Sequence, residues 1–150
     1  MRTKLLLTVV SLLLAAAAAT AAAPPTLLVK AKGRWGGQAL KFSARYKNGA
    51  GAVSFDDGTG VVRTGLVSCQ ANAGRLVVLS GTIDGPPASY PYFVFILEDH
   101  ANLGGPDEFV YTRSNTPFDC EFVIDDQGMG NLVDTREPIV RGKIAIRPEN

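Results

Sequence analysis

The most constraining feature of the sequence is the apolar run Tyr-Phe-Val-Phe-Ile-Leu at positions 92–97. Turn-forming Gly and Pro residues precede the run at positions 85–87, and the acidic pair Glu98-Asp99 closes it. A short run that is rich in aromatic and β-branched residues and bounded by turns is typical of a deeply buried strand. Because the run is apolar at both alternating positions, both of its faces need cover from other segments.

The remaining segments carry strand patterns of a simpler kind. Apolar residues alternate with polar ones over positions 40–46, which indicates a strand with one buried and one wet face. Further strand signals occur at positions 27–31, 52–55, 61–69, 75–83, 109–111, 118–124 and 140–146. The sequence therefore predicts an all-β fold without helices, a single antiparallel β-sandwich of about eight or nine strands. A small closed β-barrel is the alternative.

The N-terminal segment has the pattern of a secretory signal peptide. Arg2 and Lys4 precede an apolar stretch at positions 5–14, and an alanine-rich tract follows up to Pro24. We expect a signal peptide over residues 1–21, with cleavage between 19 and 23, and a single β-domain over residues 22–150. An uncleaved anchor helix is the alternative. The expected location is secreted or periplasmic, without a membrane span after cleavage.

The charge balance bears on the class of partner. The chain has 15 Lys+Arg and 14 Asp+Glu, and removing Arg2 and Lys4 leaves 13 against 14. No basic stripe stands out that could neutralise a run of phosphates, which argues against nucleic acid as the main partner. The partner is not identified by the sequence; a carbohydrate or an envelope protein is the expectation.

Cys69 and Cys120 are the two cysteines of the chain. An even number of cysteines in an exported protein predicts a disulfide between them. Two separate buried thiols are the alternative. A zinc site is disfavoured because the chain has no CxxC spacing and because its one histidine, His100, is remote from both cysteines in sequence.

The loop after the apolar run is the candidate metal site. Asp99, Asn102 and Asp107 offer side-chain oxygens, and Gly104 and Gly105 allow backbone carbonyls to turn inward. This set predicts weak Ca²⁺ binding, with a dissociation constant of about 10⁻⁴–10⁻³ M, as in extracellular modules. The alternative is that these side chains form turns through their own hydrogen bonds. The acidic loop at positions 125–131 is a second such set. No other cofactor is expected.

Catalytic and ligand-binding candidates are few. His100 is the one histidine available as a base, and no GxSxG or SxxK motif occurs in the chain, so a nucleophilic hydrolase is disfavoured. Trp35, flanked by glycines, is either an aromatic platform for a sugar or a plug in the core. Tyr90 either forms a binding rim or closes the fold. The carboxylates that a glycoside hydrolase could pair are Glu98, Asp99, Asp107, Glu108, Asp119 and Glu121.

The order of several motifs resembles a known family. These are residues 51–57 (Gly-Ala-Val-Ser-Phe-Asp-Asp), 80–83 (Ser-Gly-Thr-Ile), 92–95, the Asp99 to Phe109 loop, Cys120 and the final strand at 142–146. The chain resembles the small β-domain that follows choice-of-anchor modules in secreted bacterial proteins, a family of unknown function. It departs from the pattern at Arg34-Trp35 and at residues 100–103. The resemblance implies a β fold and an extracytoplasmic location, and it implies no catalytic residues.

Together these features predict a secreted, non-catalytic module of the bacterial cell envelope or exterior, with a binding or structural role. Two alternatives remain open. One is a small-molecule carrier with a lipocalin-like barrel interior, and the other is a weak hydrolase that uses paired carboxylates.

Overall fold

The computed structural model describes residues 27–35, 40–56, 60–85, 89–125 and 135–148, without the side chains of residues 35 and 40. About two thirds of this part of the chain is strand. The strands are β1 (Leu27–Trp35), β2 (Leu40–Lys47), β3 (Ala50–Asp56), β4 (Val62–Ala73), β5 (Leu76–Ile83), β6 (Tyr92–Glu98), β7 (Glu108–Ser114) and β8 (Glu137–Pro148). One short helix, α1 (Cys120–Ile124), lies between β7 and β8.

The strands form a closed antiparallel barrel in chain order. Each strand pairs with the next one, and β8 returns to pair with β1 from Leu27↔Pro148 to Trp35↔Ile139. The predicted all-β class is confirmed, and the architecture is the closed barrel instead of the sandwich that the sequence favoured. Closure is the physical difference, because a sandwich would leave both edges of each sheet without a partner strand.

The barrel interior is packed around Phe95 of β6. Its ring lies 5.1–6.1 Å, centroid to centroid, from the rings of Phe42, Phe55, Phe93 and Phe109. These five side chains are buried, and aliphatic residues from neighbouring strands complete the interior. The prediction of a deeply buried strand is confirmed, because residues 93–97 are fully shielded from solvent.

The outer face of β6 is covered by a second apolar cluster. Val94 and Ile96 point away from the interior and pack with Phe118 and Val123, which belong to α1 and the segment just before it. This second cluster explains why the run at 92–97 is apolar at both parities. Residues 118–124, which the sequence predicted as a strand, include α1. The Asp119 carboxylate caps this helix by accepting the backbone N–H groups of residues 121 and 122.

A disulfide joins α1 to the barrel wall. Cys69 and Cys120 are bonded, with their Cα atoms 6.0 Å apart and a sequence separation of 51. The predicted bond is confirmed, and the alternative of two free thiols is excluded. A β-bulge between Val67 and Cys69 shifts the register of β4, so that Val67 faces the interior and Cys69 faces α1. Closing a loop of this length stabilises the fold by about 4 kcal/mol on the chain-entropy model.

The signal peptide predicted for residues 1–21 lies outside the described residues. In the part of the chain that the structure does describe, no helix is long and apolar enough to cross a membrane.

Replacing Phe95 with alanine tests the packing of the interior. We expect Phe95→Ala to lower the free energy of unfolding by about 3–5 kcal/mol, because the cavity would remove contacts to five neighbouring rings. The control is Phe122→Ala, since the Phe122 side chain is 46% exposed and its loss should cost less than about 1 kcal/mol. Urea denaturation measures both. Equal stability of the two variants would contradict the packing described.

Candidate functional site

The outer surface of β8, β1 and β2 carries a dense array of cations. Strand alternation directs Val29, Phe42 and Ile144 into the interior, so the residues between them face outward. The outward positions hold nine exposed Lys and Arg side chains, here called the basic face: Lys30, Lys32, Arg34, Lys41, Arg45, Lys47, Arg141, Lys143 and Arg147.

The basic face has few compensating carboxylates. It holds nine of the fifteen Lys and Arg residues of the chain, and residues 27–35, 40–47 and 138–148 contain no Asp or Glu. Eight of its nine cations, all except Lys47, form no ion pair with any of the residues that the structure describes. The near-neutral total therefore conceals a strongly asymmetric charge distribution.

The basic face corrects the expectation that no basic stripe exists. Its cations lie in two segments, residues 30–47 and 141–147, that are far apart in sequence and become neighbours only when β8 pairs with β1. Within each of the three strands the cations occupy positions of one parity, at 30, 32 and 34, at 41, 45 and 47, and at 141, 143 and 147, a pattern that marks one face of a strand. Alternating cations on both terminal strands of a closed barrel were the signal that could have revealed this surface.

Like charges lie directly opposite one another across the strands. Arg34 is paired with Lys41 on β2 and with Arg141 on β8, and Lys32 is paired with Lys143. Directly opposed like charges destabilise a sheet. Two such charges about 5 Å apart in water repel by roughly 0.8 kcal/mol. An anion bound across the strands would relieve this repulsion.

An open groove of about 600 Å³ lies within the basic face. It is lined by five of the cations and by Gly33, Phe42 and Gly142; the cations are Lys32, Arg34, Lys41, Arg141 and Lys143. Gly33 and Gly142 are direct cross-strand partners. Gly142 has φ +128°, and a Cβ there would collide with the carbonyl oxygen of Lys32, so this position requires glycine. The two glycines bring β1 and β8 close together between the charged side chains.

A second polar cluster surrounds Glu98. Its Oε1 lies 3.2 Å from Nη2 of Arg75 and 3.4 Å from Nε2 of His100, and its Oε2 accepts a hydrogen bond of 2.6 Å from Nη2 of Arg136. Ligand atoms of Glu98, His100 and Glu108 lie within 4.8 Å of one another, which is compact enough to hold a metal ion. However, both Glu98 oxygens already interact with guanidinium groups, which would repel a cation.

The pKa of Glu98 follows from these contacts. Burial alone raises it, but the charge of Arg136 and hydrogen bonds from Arg75, Arg136 and His100 together outweigh burial, so the pKa lies below its ordinary value of 4.5. A general acid needs the opposite shift, toward a raised pKa. The cluster is therefore suited to an ion-pair network and poorly suited to acid catalysis.

The candidate calcium loop has a structural role beside β8. β7 and β8 pair through two residue pairs, at Glu108 and Phe109 of β7, and the loop at 99–107 borders later residues of β8. Asp107 Oδ2 accepts the N–H of Ile144 at 2.6 Å, and Asp99 Oδ2 accepts the N–H of Ile146 at 3.0 Å. These carboxylates thus take the place of strand carbonyls along the open edge of β8.

The second oxygens of both carboxylates form hydrogen bonds within the loop. Asp107 Oδ1 accepts the N–H of His100, and Asp99 Oδ1 accepts the N–H of Ala101. Asn102 is exposed in the turn. The Asx-type hydrogen bond of Asp99 matches the turn alternative. Calcium binding by this loop stays a prediction.

Three further candidate sites were predicted from the sequence: Tyr90, Trp35 and the acidic loop at 125–131. Tyr90 is exposed just before β6. Trp35 is the last residue of β1, and its side chain lies outside the described part of the structure, so the choice between platform and plug stays open. The acidic loop at 125–131 falls outside the described residues after Asp125.

Comparisons of the chain with protein-family models, with curated proteins and with solved structures found no match. The resemblance to the domain that follows choice-of-anchor modules therefore stays a prediction.

Substitution of Asp107 separates the structural role from calcium binding. We expect Asp107→Asn to lower the free energy of unfolding by about 1–3 kcal/mol, with or without calcium, because a carboxylate that accepts two backbone N–H groups is replaced by a neutral amide. Thermal melts with and without millimolar CaCl₂ measure this. A calcium-dependent rise in melting temperature that is present in the parent and absent in the variant would establish the metal site instead.

Proposed function

We propose that this chain is a non-catalytic binding module that works at or outside the bacterial cell envelope and holds anionic polymers or surfaces on its basic face. The observation that carries the proposal is the array of nine exposed cations on β8, β1 and β2. Surfaces of one sign attract ligands of the other sign over distances of about one Debye length. Acidic glycans and anionic lipid headgroups are the abundant polyanions in that location.

The packing of the barrel supports a module over a small-molecule carrier. Phe42 and Phe109 are stacked at 3.9 Å between ring centroids, and Phe95 contacts both of them in the middle of the interior. A carrier needs an internal cavity of several hundred Å³ in this region. Here that space is occupied by aromatic side chains, so the available binding surface is the exterior.

The state of the carboxylates disfavours the hydrolase alternative. Glu98 is held by Arg75 and Arg136, and Asp99 and Asp107 accept backbone N–H groups with both of their oxygens. Asp119 caps α1. Carboxylates in these roles are not available to protonate a leaving group or to activate water.

Neutralising two central cations tests the proposal. We expect Lys32→Gln/Lys143→Gln to weaken binding to dextran sulfate, a soluble polyanion, by about tenfold, which corresponds to about 1.4 kcal/mol. These residues are opposed on β1 and β8, so one ligand segment would contact both. Titration calorimetry at several salt concentrations measures the effect, and the parent affinity should fall steeply as salt rises.

The matched control is Asn72→Glu/Thr82→Glu, which changes the net charge by the same two units at exposed positions of β4 and β5. This control should bind dextran sulfate nearly as well as the parent. Equal weakening in both double variants would show that only net charge matters, and it would remove the basic face as a defined site.

A further inference from the structure

The cations of the neighbouring strands β1 and β8 form an ordered array within the basic face. Four successive outward-facing pairs of the two strands hold six cations, here called the cationic ladder: Arg34 with Arg141, Lys32 with Lys143, Lys30 (opposite Ala145) and Arg147 (opposite Leu28). All six cations are exposed, and none forms an ion pair with the residues that the structure describes. Because β1 and β8 are adjacent, these side chains leave the barrel wall side by side.

Three depressions follow one another along the cationic ladder. The groove of about 600 Å³ lies at its Arg34 end, a depression of about 550 Å³ comes next, and one of about 200 Å³ lies beside Arg147. The first two share Lys32 and Lys143, and the last two share Lys30 and Ala145. The ladder therefore borders one continuous track along the boundary between β1 and β8.

The spacing of the pairs sets the spacing of the charges that the track fits. Outward positions recur at every second residue, so successive pairs are about 6.6–6.8 Å apart and the four pairs extend over about 20 Å. Two residues of an extended strand contain six backbone bonds. A phosphodiester chain with three carbons between phosphates also has six backbone bonds in each repeat. Since extended chains of six single bonds have similar spans, successive phosphates reach successive pairs of the ladder.

We propose that the cationic ladder binds a linear poly(glycerol phosphate), with one phosphate at each of its four pairs and the polymer along the boundary between β1 and β8. Arg34 and Arg141 suit the terminal phosphate, because a planar guanidinium donates two parallel hydrogen bonds to it. Each bound phosphate also relieves the repulsion between opposed cations such as Lys32 and Lys143. The inference rests on the proposed function, because it names the polymer that the same basic face holds.

Two other linear polyanions fit the track less well. A 1→4-linked acidic glycan repeats every five bonds through a sugar ring that is not extended, so its charges fall out of step with the ladder as the chain lengthens. A single-stranded nucleic acid has the six-bond repeat, but its binding relies on bases that stack on aromatic side chains. No aromatic side chain faces outward within residues 28–34, 41–47 and 141–147, where Phe42 and Tyr46 pack on the interior.

Titration calorimetry of the purified protein with oligo(glycerol phosphate)s of two, four and eight phosphates tests the proposal. We expect the affinity to rise at least about tenfold from two to four phosphates, because two more pairs of the ladder are filled. From four to eight phosphates it should rise no more than about fivefold, which the five equivalent registers of the longer chain provide. The salt dependence of binding counts neutralised phosphates, so it should stop growing at four.

Removing one end of the cationic ladder should shorten the series. We expect Lys30→Gln/Arg147→Gln, which neutralises the last two pairs, to move the levelling of affinity and salt dependence from four phosphates to two. The matched control is Lys41→Gln/Arg45→Gln, which removes two exposed cations of the same face on β2. This control should weaken binding but keep the levelling at four. Thermal melts establish that both variants fold, and the length series of the parent tests the ladder without them.

Two further ligands with four charges test the chemistry of the polymer. Oligothymidylate has the phosphate spacing with bases added, and oligogalacturonate has carboxylates on a shorter repeat. We expect both to bind at least about fivefold more weakly than the glycerol phosphate tetramer, because one lacks stacking partners and the other lacks the spacing. Equal or tighter binding of either would overturn the assigned polymer and would make a nucleic acid or an acidic glycan the better partner.

The outcomes separate the two proposals. Binding to dextran sulfate without binding to the oligo(glycerol phosphate)s would overturn the assigned polymer, while the proposed function would stand. Salt dependence that keeps growing up to eight phosphates, or a levelling that moves equally in the control variant, would overturn the four-pair ladder in the same way. Failure to bind any of these polyanions, dextran sulfate included, would overturn both proposals.

Discussion

The pairing of β8 with β1 is the interaction on which the rest of the structure depends. It closes the barrel, gives β1 a partner along both edges, and completes the wall around the interior aromatic cluster. It also brings the cations of residues 141–147 beside those of residues 30–47. Without this pairing the chain would have two exposed sheet edges and two separate basic segments.

Closure depends on side chains as well as on strands. Because β7 pairs with β8 at Glu108 and Phe109 alone, the carboxylates of Asp99 and Asp107 satisfy N–H groups farther along β8. On another side of the barrel, the disulfide between Cys69 and Cys120 fixes α1 over the outer face of β4, β5 and β6. These two devices leave the surface of β8, β1 and β2 free to carry charge.

Local patterns in the sequence predicted much of the fold. The run at 92–97 predicted a buried strand because six successive aromatic and aliphatic residues indicate one without any information from the rest of the chain. The two cysteines predicted their disulfide. Closure was harder to predict, since a sandwich and a barrel have the same local alternation and differ only in whether the first and last strands pair. Residues 118–124 were expected to be a strand because their apolar pattern is too short to define a period, and the cap at Asp119 determined the helix instead.

The basic face was missed for the same reason as closure. Residues 30–47 hold six of its nine cations and residues 141–147 hold three, and the two groups form one surface only when β8 pairs with β1. The β-bulge that leaves Val140 without a partner on β1 likewise cannot be predicted from the neighbouring residues of the sequence, because it is defined by the register between β8 and β1. By contrast, Asp99 and Asp107 were identified from sequence as oxygen-rich positions, and the structure shows backbone N–H groups as the partners of those oxygens.

The most direct test of this account is a measurement of the register between β1 and β8 by nuclear Overhauser effects. The N–H groups of Ile144 and Ile146 point to Asp107 and Asp99, away from β1. The pairs Ala31–Ile144 and Val29–Ile146 are therefore non-hydrogen-bonded pairs, whose Cα atoms approach to about 4.5 Å. A closed barrel in this register predicts strong cross-peaks between the Hα protons of each pair in a sample of the purified β-domain. Absence of both cross-peaks, together with fast amide exchange along β1, would show an open sheet and contradict the closed barrel and its basic face.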